Sequence, residues 1–581
     1  MSLRKENWPP RGIMLNMVRL SLRTFLVSLA IALVTGHTTP SKRSNVILVI
    51  TDDQDLHLNS LEYMPITLKH FRQGGTEFRK HYCTIAVCCP SRVSLLTGKM
   101  AHNTNVTDVS PPYGGYPKFL EQGLNENYLP VWLQEAGYNT YYTGKLMNAH
   151  SLVTYNDPYP AGWNRTGFLI DPGTYNYYNA CWQSDQNPPV WRAGEYNTDI
   201  VSDAAMEFLD EASKSDRPFF LGVAPIAPHT EVEFLDDGNV KFIPPIPAKR
   251  HEGLFLDAKI PRGPSFNPEE PQGVNWIQQL PRANETEVEA NDDFYRARLQ
   301  SLQAVDELVG ALVEKVEQLG LDDTYIIYTT DNGFHMGQHR LQPGKTCAYE
   351  EDVNVPFLVR GPDVPKNHVV DFATSHTDIA ATIFDLLNIP LRDDFDGVPI
   401  PLTLSAMEKA ALSPAHGHVT IEFWGVGVGE GLFSIGGPGG SIDWWANNTY
   451  KGLRLVSPQY DLLYTVWCNN VHELYDMKVD PYQTKNMYYG SGKISGYSIE
   501  QVTSRLDALL MVTKSCKGED CTNPWRVLHP CGRVHNLAQA LAPELDLFYA
   551  SQPKISFTKC ELGYIIDSEG PMEVLPFHIG D

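Results

Sequence analysis

One cysteine, Cys88, stands where it could do chemistry, because an arginine follows it four residues later, at position 92. Both belong to the segment CCPSRVSLLTG, which spans residues 88–98. A cysteine near a cation can be reactive. The alternative is that Cys88 and Cys89 are ordinary buried or disulfide-bonded thiols at the start of a helix. The residues that the fold brings to this cysteine decide between the two.

Two pairs of oxygen-bearing side chains follow apolar, β-branched runs that are typical of buried parallel strands. Asp52 and Asp53 follow the run VILVI at 46–50, and Asp331 and Asn332 follow the run YIIYTT at 325–330. Open α/β sheets bind their ligands just past the carboxyl ends of strands. Oxygen ligands suit a hard cation such as calcium or magnesium rather than zinc. Taken singly, each pair could equally be a helix N-cap or a turn.

Together, the cysteine segment and the two acidic pairs resemble the maturation signature and the calcium site of the sulfatase family. In that family the first cysteine of the motif is oxidised after synthesis to formylglycine (3-oxoalanine) by formylglycine-generating machinery. That machinery reads the Pro, the Arg and the Leu-Thr-Gly tail, all of which are present in residues 90–98. The resemblance implies that Cys88 becomes formylglycine. It also implies that one Ca²⁺ ion binds residue 88 together with Asp52, Asp53, Asp331 and Asn332.

The same resemblance implies a mechanism for hydrolysing sulfate monoesters, whose negatively charged oxygens resist attack. The hydrated aldehyde is a geminal diol, and the metal lowers the pKa of a bound hydroxyl. One hydroxyl attacks sulfur to form a covalent sulfo-enzyme, and the second then collapses to the aldehyde and expels sulfate. Cations stabilise the sulfuryl oxygens, and a proton donor assists the leaving oxygen.

Matching the family's pattern assigns these cations and the proton donor. Arg92 would hold the diol and the metal shell, while Lys145 in YYTGK and Lys345 in LQPGKT would bind the sulfate. His229, in APHT, follows the strand-like run 219–224 and resembles the family's proton donor to the leaving group. Outside such a frame, a lone lysine is usually a solvated surface charge and a lone histidine a hydrogen-bonded structural residue.

One position departs from the common pattern. Many sulfatases carry a histidine two residues after the first lysine, where this sequence has Met147. The run GKLMN instead resembles the branch that contains glucosamine 6-sulfatases, extracellular heparan sulfatases and fungal arylsulfatases. Asn148 is therefore expected to bind substrate, with His150 as a weaker candidate. We also expect His335, a candidate substrate-binding residue, and His339 to line the mouth of the pocket, although both could instead cap a loop.

The N-terminus predicts passage through the secretory pathway. Arg19 and Arg23 precede the apolar run 25–34, and residues 1–36 fit a signal peptide. That run is too short to span a bilayer, so a membrane-anchored form is the less favoured alternative. Glycosylation sequons begin at residues 105, 164, 284 and 447. We expect a secreted, extracellular or cell-wall glycoprotein with no membrane partner; a lysosomal or vacuolar location is compatible with the same signal.

Composition limits the partners. The 46 basic and 69 acidic residues give a formal net charge of −23, which argues against nucleic acid or an anionic membrane. The bulk surface would also repel a polyanionic sulfated chain, so we expect a small-molecule sulfate ester as substrate. If Cys88 is modified, nine of the ten cysteines remain. Because nine is odd, at least one cysteine stays free or pairs between chains.

Strand-like and helical runs alternate over most of the chain, which indicates an α/β fold with a large, mostly parallel sheet flanked by helices. The resemblance makes that fold alkaline-phosphatase-like. We expect residues 37–412 to form the N-terminal catalytic domain and residues 413–581 a smaller C-terminal domain built on an antiparallel sheet. The stretch 242–291, rich in Pro and charge, predicts an irregular surface excursion.

These expectations combine into a secreted, calcium-dependent sulfatase of the arylsulfatase type. A glycan sulfatase similar to N-acetylglucosamine-6-sulfatase is the alternative within the family. Two other classes stay open. One is a phosphatase or phosphodiesterase of the same superfamily, which would use a Ser or Thr nucleophile and two zinc ions. The other is an inactive secreted binding protein.

Overall fold

A computed structural model describes residues 43–234, 240–431 and 443–577. The main element of these residues is a ten-stranded sheet. Its strand order is His368–Val370, Thr76–Phe78, Phe357–Arg360, Thr324–Thr330, Asn45–Thr51, Phe219–Ala224, Asn139–Gly144, Arg165–Leu169, Asn179–Ser184 and Val190–Ala193. The predicted signal peptide, residues 1–36, lies outside the described residues.

The five central strands, from Thr324–Thr330 to Arg165–Leu169, run parallel to one another. Most of the outer pairings are antiparallel. The strand Asn45–Thr51 is buried along its whole length. It is rich in Val, Ile and Leu because helices cover both faces of a parallel sheet. The predicted large, mostly parallel sheet flanked by helices is confirmed, and its central strands all end at the same edge.

Helices pack on both faces of this sheet. Alternate residues of the strand Asn45–Thr51 point to opposite faces. Its apolar even-numbered residues pack with the helices Cys88–Thr97 and Thr377–Leu386, and its apolar odd-numbered residues with Asn197–Ala212 and Glu285–Gln318. The other described α-helices are Pro65–Thr67, Ala101–Thr104, Gly115–Glu121, Leu129–Glu135, Glu350–Val353, Leu404–Ala410, Ile499–Thr513, Glu519–Thr522, Pro524–Leu528, Leu537–Ala540 and Asp546–Ser551.

The 34-residue helix Glu285–Gln318 begins inside the stretch 242–291, for which the sequence predicts no regular structure. For residues 285–291 that prediction is wrong. The side chain of Asn284 accepts from the Glu287 amide, while the Glu287 side chain accepts from the Asn284 amide. This capping box gives partners to amides that a helix start otherwise leaves unpaired, so the helix begins here.

A second sheet, of four antiparallel strands, lies in the C-terminal region. Its order is His418–Phe423, Tyr450–Val456, Asp461–Trp467 and His472–Asp476. One face packs into a cluster with Tyr82 and Tyr349, and the other packs on the helix Ile499–Thr513. The predicted antiparallel C-terminal sheet is thus confirmed, while the domain boundary between residues 412 and 413 stays a prediction.

A small antiparallel sheet carries one of the predicted site residues, Lys345. Its strands are Gly344–Lys345, Gly427–Gly429 and Asp443–Trp445. The remaining described strands form the pairs Glu231–Phe234 with Val240–Ile243, His81–Tyr82 with Thr374–Ser375, and Lys493–Ile494 with Tyr497–Ser498.

Two disulfides, Cys468–Cys560 and Cys516–Cys521, lie in the C-terminal region. Cys531 is a free, exposed thiol, and the other described cysteines, including Cys88, are free and buried. Within the described ranges, no helix combines the length and the apolar character needed to cross a bilayer.

Candidate active site

Four predicted ligand residues meet where two neighbouring strands end. Asp52 and Asp53 directly follow the end of one central strand, and Asp331 and Asn332 directly follow the end of its parallel neighbour. The Asp53 amide donates to Asp331 Oδ1 at 3.0 Å, and Asn332 Nδ2 donates to Asp53 Oδ1 at 2.8 Å. All four side chains are buried. The structure therefore brings together the acidic and amide groups that the sequence predicts as metal ligands.

Cys88 is the first residue of the helix Cys88–Thr97, and its sulfur faces this acidic group. Its Sγ lies 3.4 Å from Asp52 Oδ1, 3.8 Å from Asp53 Oδ1 and 3.4 Å from Lys345 Nζ. Burial raises the pKa of the Cys88 thiol well above its ordinary value, and the nearby lysines do not offset that rise. A protonated thiol is a poor nucleophile. The unmodified side chain is therefore badly suited to attack an ester at neutral pH.

Two predicted cations, Arg92 and Lys145, pair with the strand-end carboxylates. Arg92, one turn along the helix from Cys88, donates from Nε to Asp331 Oδ2 at 2.8 Å and from Nη1 to the Lys145 carbonyl at 2.6 Å. Lys145 follows the central strand that ends at residue 144, and its Nζ donates to Asp52 Oδ2 at 2.6 Å. Burial alone would raise the pKa of Asp52, but the nearby cations, Lys145 above all, outweigh burial and lower that pKa. Asp52 is therefore a carboxylate at neutral pH.

The third predicted cation, Lys345, comes from outside the central sheet. The small sheet presents its Nζ to both oxygens of Asp53, at 2.7 and 2.6 Å. Glu430 lies beside it, with Oε1 3.4 Å from the same Nζ. Burial would lower the pKa of Lys345, but Asp53 outweighs burial and raises that pKa well above its ordinary value. Buried cations thus surround the strand-end carboxylates, and such cations can stabilise an anionic ester.

The cluster of Asp52, Asp53, Asp331 and Asn332 suits a hard divalent cation. Its donors are carboxylate and amide oxygens, which calcium prefers. Asn332 Oδ1 is buried and has no hydrogen-bond partner among the described residues, so it is free to bind an ion. Ligand atoms of Asp52, Asp53, Cys88 and His229 also lie within 4.8 Å of one another. The residues present therefore fit one such ion.

His229 presents one ring nitrogen to the acidic group. It follows the central strand Phe219–Ala224 and is buried. Its Nδ1 lies 2.7 Å from the Thr230 carbonyl oxygen, which can only accept, so Nδ1 carries a hydrogen. Its Nε2 lies 3.5 Å from Asp53 Oδ2. Nε2 is thus the nitrogen that can hold and deliver a further proton at the site.

The two candidates that follow Lys145, Asn148 and His150, have different surroundings. Asn148 Nδ2 donates to the Tyr175 hydroxyl at 2.7 Å, and Tyr175 in turn stacks on His229. Asn148 Oδ1 is buried and has no partner among the described residues. His150 packs against aromatic rings of the core, where burial lowers its pKa to about 4.

His335 and His339 are both buried. His335 Nδ1 lies 2.7 Å from Asp352 Oδ1, and its backbone pairs with the residue before Lys345. His339 stacks on Tyr349, with ring centroids 4.0 Å apart. Both ring nitrogens of His339 are buried without a hydrogen-bond partner among the described residues. Substrate binding by His335 and the position of His339 at the mouth of the pocket stay predictions.

Three residues at the site belong to none of the motifs found in the sequence: Tyr175, Glu430 and Arg298. Arg298 reaches over from the 34-residue helix and donates from Nη2 to the Asp53 carbonyl at 2.5 Å. Tyr175 follows the central strand that ends at residue 169, so the strand-end rule could have pointed to its loop. Glu430 and Arg298 come from a Gly-rich segment and a helix interior, and no comparable rule singles them out.

The chain is similar in sequence to proteins that are named as sulfatases. The sulfatase family model matches residues 44–389. The chain is 44% identical over 416 residues to "Sulfatase ppz1" of Metarhizium majus, covering 71% of this chain and 88% of that protein. It is 38% identical over 547 residues to an arylsulfatase of Volvox carteri, covering 89% and 82%. It is 30% identical over 524 residues to an N-acetylglucosamine-6-sulfatase of Capra hircus, covering 86% and 88%.

A solved structure of similar fold is that of BT4656 in complex with its substrate, D-glucosamine-2-N,6-O-disulfate. It matches with a TM-score of 0.56 and 22% identity, covering 77% of this chain and 94% of that chain. At that identity the likeness concerns the fold alone.

Proposed function

The chain belongs to the sulfatase family, and from that premise we propose that it is an arylsulfatase that uses formylglycine at position 88 and one calcium ion. The protein is a sulfuric ester hydrolase with the alkaline-phosphatase-like α/β fold. The observation that carries the proposal is the position of Cys88, whose Sγ lies within 3.8 Å of Asp52, Asp53 and Lys345.

Formylglycine at position 88 would supply, once hydrated, the hydroxyl that attacks sulfur. The unmodified thiol is a poor candidate for the nucleophile, because burial raises its pKa well above the ordinary value. The helix start holds this side chain against Asp52 and Lys345, so the group at position 88 faces carboxylate and cation together. Arg92, one turn along, fixes Asp331 and therefore this edge of the pocket.

We assign the calcium ion to Asp52, Asp53, Asp331, Asn332 and residue 88. The bound ion would withdraw charge from the sulfate oxygens and lower the pKa of a nearby hydroxyl. Lys145 and Lys345 are protonated at neutral pH because the strand-end carboxylates outweigh burial and raise the pKa of both. Their charges can therefore stabilise the oxygens of the sulfuryl group.

His229 is the proposed proton donor to the leaving group. Its Nδ1 is anchored on the Thr230 carbonyl, so the ring presents Nε2 to the pocket. As the sulfur–oxygen bond breaks, the leaving oxygen gains negative charge and takes the proton from Nε2. Asn148 and His335 are the proposed further contacts to substrate.

An aryl sulfate suits this chain better than a charged glycan on two grounds. The net charge of −23 repels a polyanion before it reaches the pocket. The arylsulfatase of Volvox carteri is also the more similar relative, at 38% identity against 30% for the N-acetylglucosamine-6-sulfatase. The run GKLMN, with Asn148 at the site, keeps a 6-sulfated glucosamine as the alternative substrate.

We also propose that the protein is secreted and glycosylated. Its sequon residues Asn164, Asn284 and Asn447 are exposed, as glycan acceptors must be, while Asn105 is half-buried. Digestion with a glycosidase that removes N-linked glycans should therefore lower the mass of protein purified from its own host.

Two measurements test the proposed chemistry. The first compares turnover of a chromogenic aryl sulfate with that of a 6-sulfated glucosamine; a preference for the sugar would favour the glycan sulfatase. The second is mass spectrometry of the peptide that carries residue 88, because conversion of thiol to aldehyde removes about 18 Da. Only thiol or disulfide in protein from its own host would indicate an inactive binding protein. Two zinc ions per chain would indicate the phosphatase class.

A further inference from the structure

Tyr175 contacts three of the proposed site residues, although none of the sequence motifs includes it. It lies in the loop that follows the central strand Arg165–Leu169 and is 5% exposed. Its hydroxyl accepts from Asn148 Nδ2 at 2.7 Å. Its ring stacks on the imidazole of His229, with centroids 4.3 Å apart and planes 26° apart. Lys145 Nζ lies 4.8 Å from the same ring centroid.

These contacts restrict the imidazole of His229. The hydrogen bond from Nδ1 to the Thr230 carbonyl does not by itself prevent the plane of the ring from tilting. Stacking on Tyr175 removes this freedom, because rotation would separate the two rings or drive them together. With both contacts in place, Nε2 keeps one direction, toward Asp53 and the pocket.

The same ring holds Lys145 by a cation–π contact, which is strongest where water is excluded. Among the described residues, Lys145 Nζ pairs with one carboxylate, that of Asp52, whose Oδ2 lies at 2.6 Å. The Tyr175 ring therefore gives the Lys145 ammonium group a second contact, which is uncharged. The Tyr175 side chain thus contacts both the proposed proton donor, His229, and a proposed sulfate-binding cation, Lys145.

We propose that Tyr175 is a positioning residue that aligns His229 Nε2 with the leaving-group oxygen and so enables hydrolysis of sulfate esters of poor leaving groups. The inference rests on the proposed function. In the step concerned, the proposed nucleophile at residue 88 would form a bond to sulfur while the bond from sulfur to the leaving oxygen breaks, and the electron pair of the broken bond stays on the leaving oxygen. The proton of Nε2 moves to the same oxygen, so the product is a neutral phenol or alcohol.

The test is a series of aryl sulfates that runs from a good leaving group, nitrophenol, to a poor one, phenol. Proton donation contributes about 10²–10⁴-fold to catalysis and matters most when the leaving group is poor. Tyr175→Leu should therefore lower kcat/KM, which reports the step in which the leaving group departs, by on the order of 10–100-fold for phenyl sulfate but by less than about 3-fold for nitrophenyl sulfate. Tyr175→Phe keeps the ring and should stay within about 3-fold of wild type for both substrates.

Two reference variants complete the design. His229→Gln should show the steepest dependence on the leaving group, because it lacks the donor itself. Tyr196→Leu is the matched control, since Tyr196 is also 5% exposed but packs in the core near residue 246. It should lower the Tm without changing the dependence on the leaving group. If Tyr175→Leu does not fold, Tyr175→Met fills similar space without a ring and serves instead.

An equal loss of kcat/KM on all substrates in Tyr175→Leu, or a changed dependence on the leaving group in Tyr196→Leu, would overturn the role of Tyr175. A loss in Tyr175→Phe as large as in Tyr175→Leu would overturn it too, because the ring would then not be what matters. Failure of the proposed function has another signature: a folded wild-type protein, with residue 88 converted, that hydrolyses no member of the series.

Discussion

Among the clusters of opposite charges that the protein buries, one lies at the strand ends of the large sheet and one lies where the second sheet meets the helix Ala101–Thr104. In the latter, here called the sheet cluster, His102, Glu422 and Lys451 are all buried. Glu422 Oε2 accepts from Lys451 Nζ at 2.7 Å and lies 2.8 Å from His102 Nδ1. Glu422 Oε1 accepts from the His102 amide at 3.0 Å. Both oxygens of this carboxylate are therefore occupied.

The cluster at the strand ends differs from the sheet cluster because some of its buried polar atoms have no hydrogen-bond partner. Asn332 Oδ1, Asn148 Oδ1 and Arg92 Nη2 are buried without a hydrogen-bond partner among the described residues. An unpaired buried polar atom costs free energy, so it is expected where a ligand completes its bonding. The comparison teaches that buried ion pairs do not by themselves indicate catalysis. All the polar side-chain atoms of His102, Glu422 and Lys451 have hydrogen-bond partners, and in this the sheet cluster differs from the cluster at the strand ends.

The largest expected effect concerns Cys88. Cys88→Ala should lower kcat/KM by on the order of 10⁴-fold or more, because the nucleophile is lost. The Tm should stay near that of wild type, since the change removes only one sulfur. The matched control is Cys89→Ala, which alters the adjacent buried cysteine and should leave turnover close to wild type. Hydrolysis retained by Cys88→Ala would refute the assignment of the nucleophile.

Metal removal should have the next largest effect. Dialysis against a calcium chelator should lower activity by on the order of 100-fold, because the strand-end carboxylates then lack their cation. The Tm should fall as well, since a bound ion stabilises the folded state by mass action. Added Ca²⁺ should restore both, and Asn332→Ala should raise the calcium concentration needed.

The sheet cluster provides the control for that experiment. Glu422→Gln should leave the calcium requirement unchanged, because Glu422 contacts none of the proposed ligands in the described structure. Full activity in chelated protein that elemental analysis shows to be free of calcium would contradict the metal assignment.

The residues that could be predicted from the sequence are those that local rules position. Asp52 and Asp331 follow apolar strands directly, and parallel strands end at one edge, so their meeting could be predicted. Tyr175 could not, because an aromatic residue in a loop is more often a packing residue than a site residue. Arg298 reaches the site only through tertiary packing of a long helix. The helix start at Asn284 could have been predicted from its capping box, but the Pro-rich composition around it favoured an irregular segment.

A third prediction concerns the contribution of the sheet cluster to stability. Glu422→Gln should lower the free energy of unfolding by about 2 kcal/mol, because the buried Lys451 loses its nearer carboxylate partner and keeps only Glu569, whose Oε2 lies 3.5 Å from Nζ. Turnover should change little. Urea unfolding and kcat measured on the same preparation check both statements. The control is Glu62→Gln, whose pair with Arg72 is exposed and worth less than about 1 kcal/mol. Lost turnover with unchanged stability would reverse the roles given to the two clusters.

The smallest expected effect is the pH dependence of the stability difference between wild type and Glu422→Gln. Burial would raise the pKa of Glu422, but His102 and Lys451 outweigh burial and lower that pKa from 4.5 to about 2. A carboxyl group with a lowered pKa in the folded state contributes stability above its unfolded pKa and loses it as pH falls. The stability difference between wild type and Glu422→Gln should therefore be constant above about pH 5 and shrink between pH 4.5 and 2. A difference that persists unchanged to pH 2 would show that packing, not charge, makes this cluster stable.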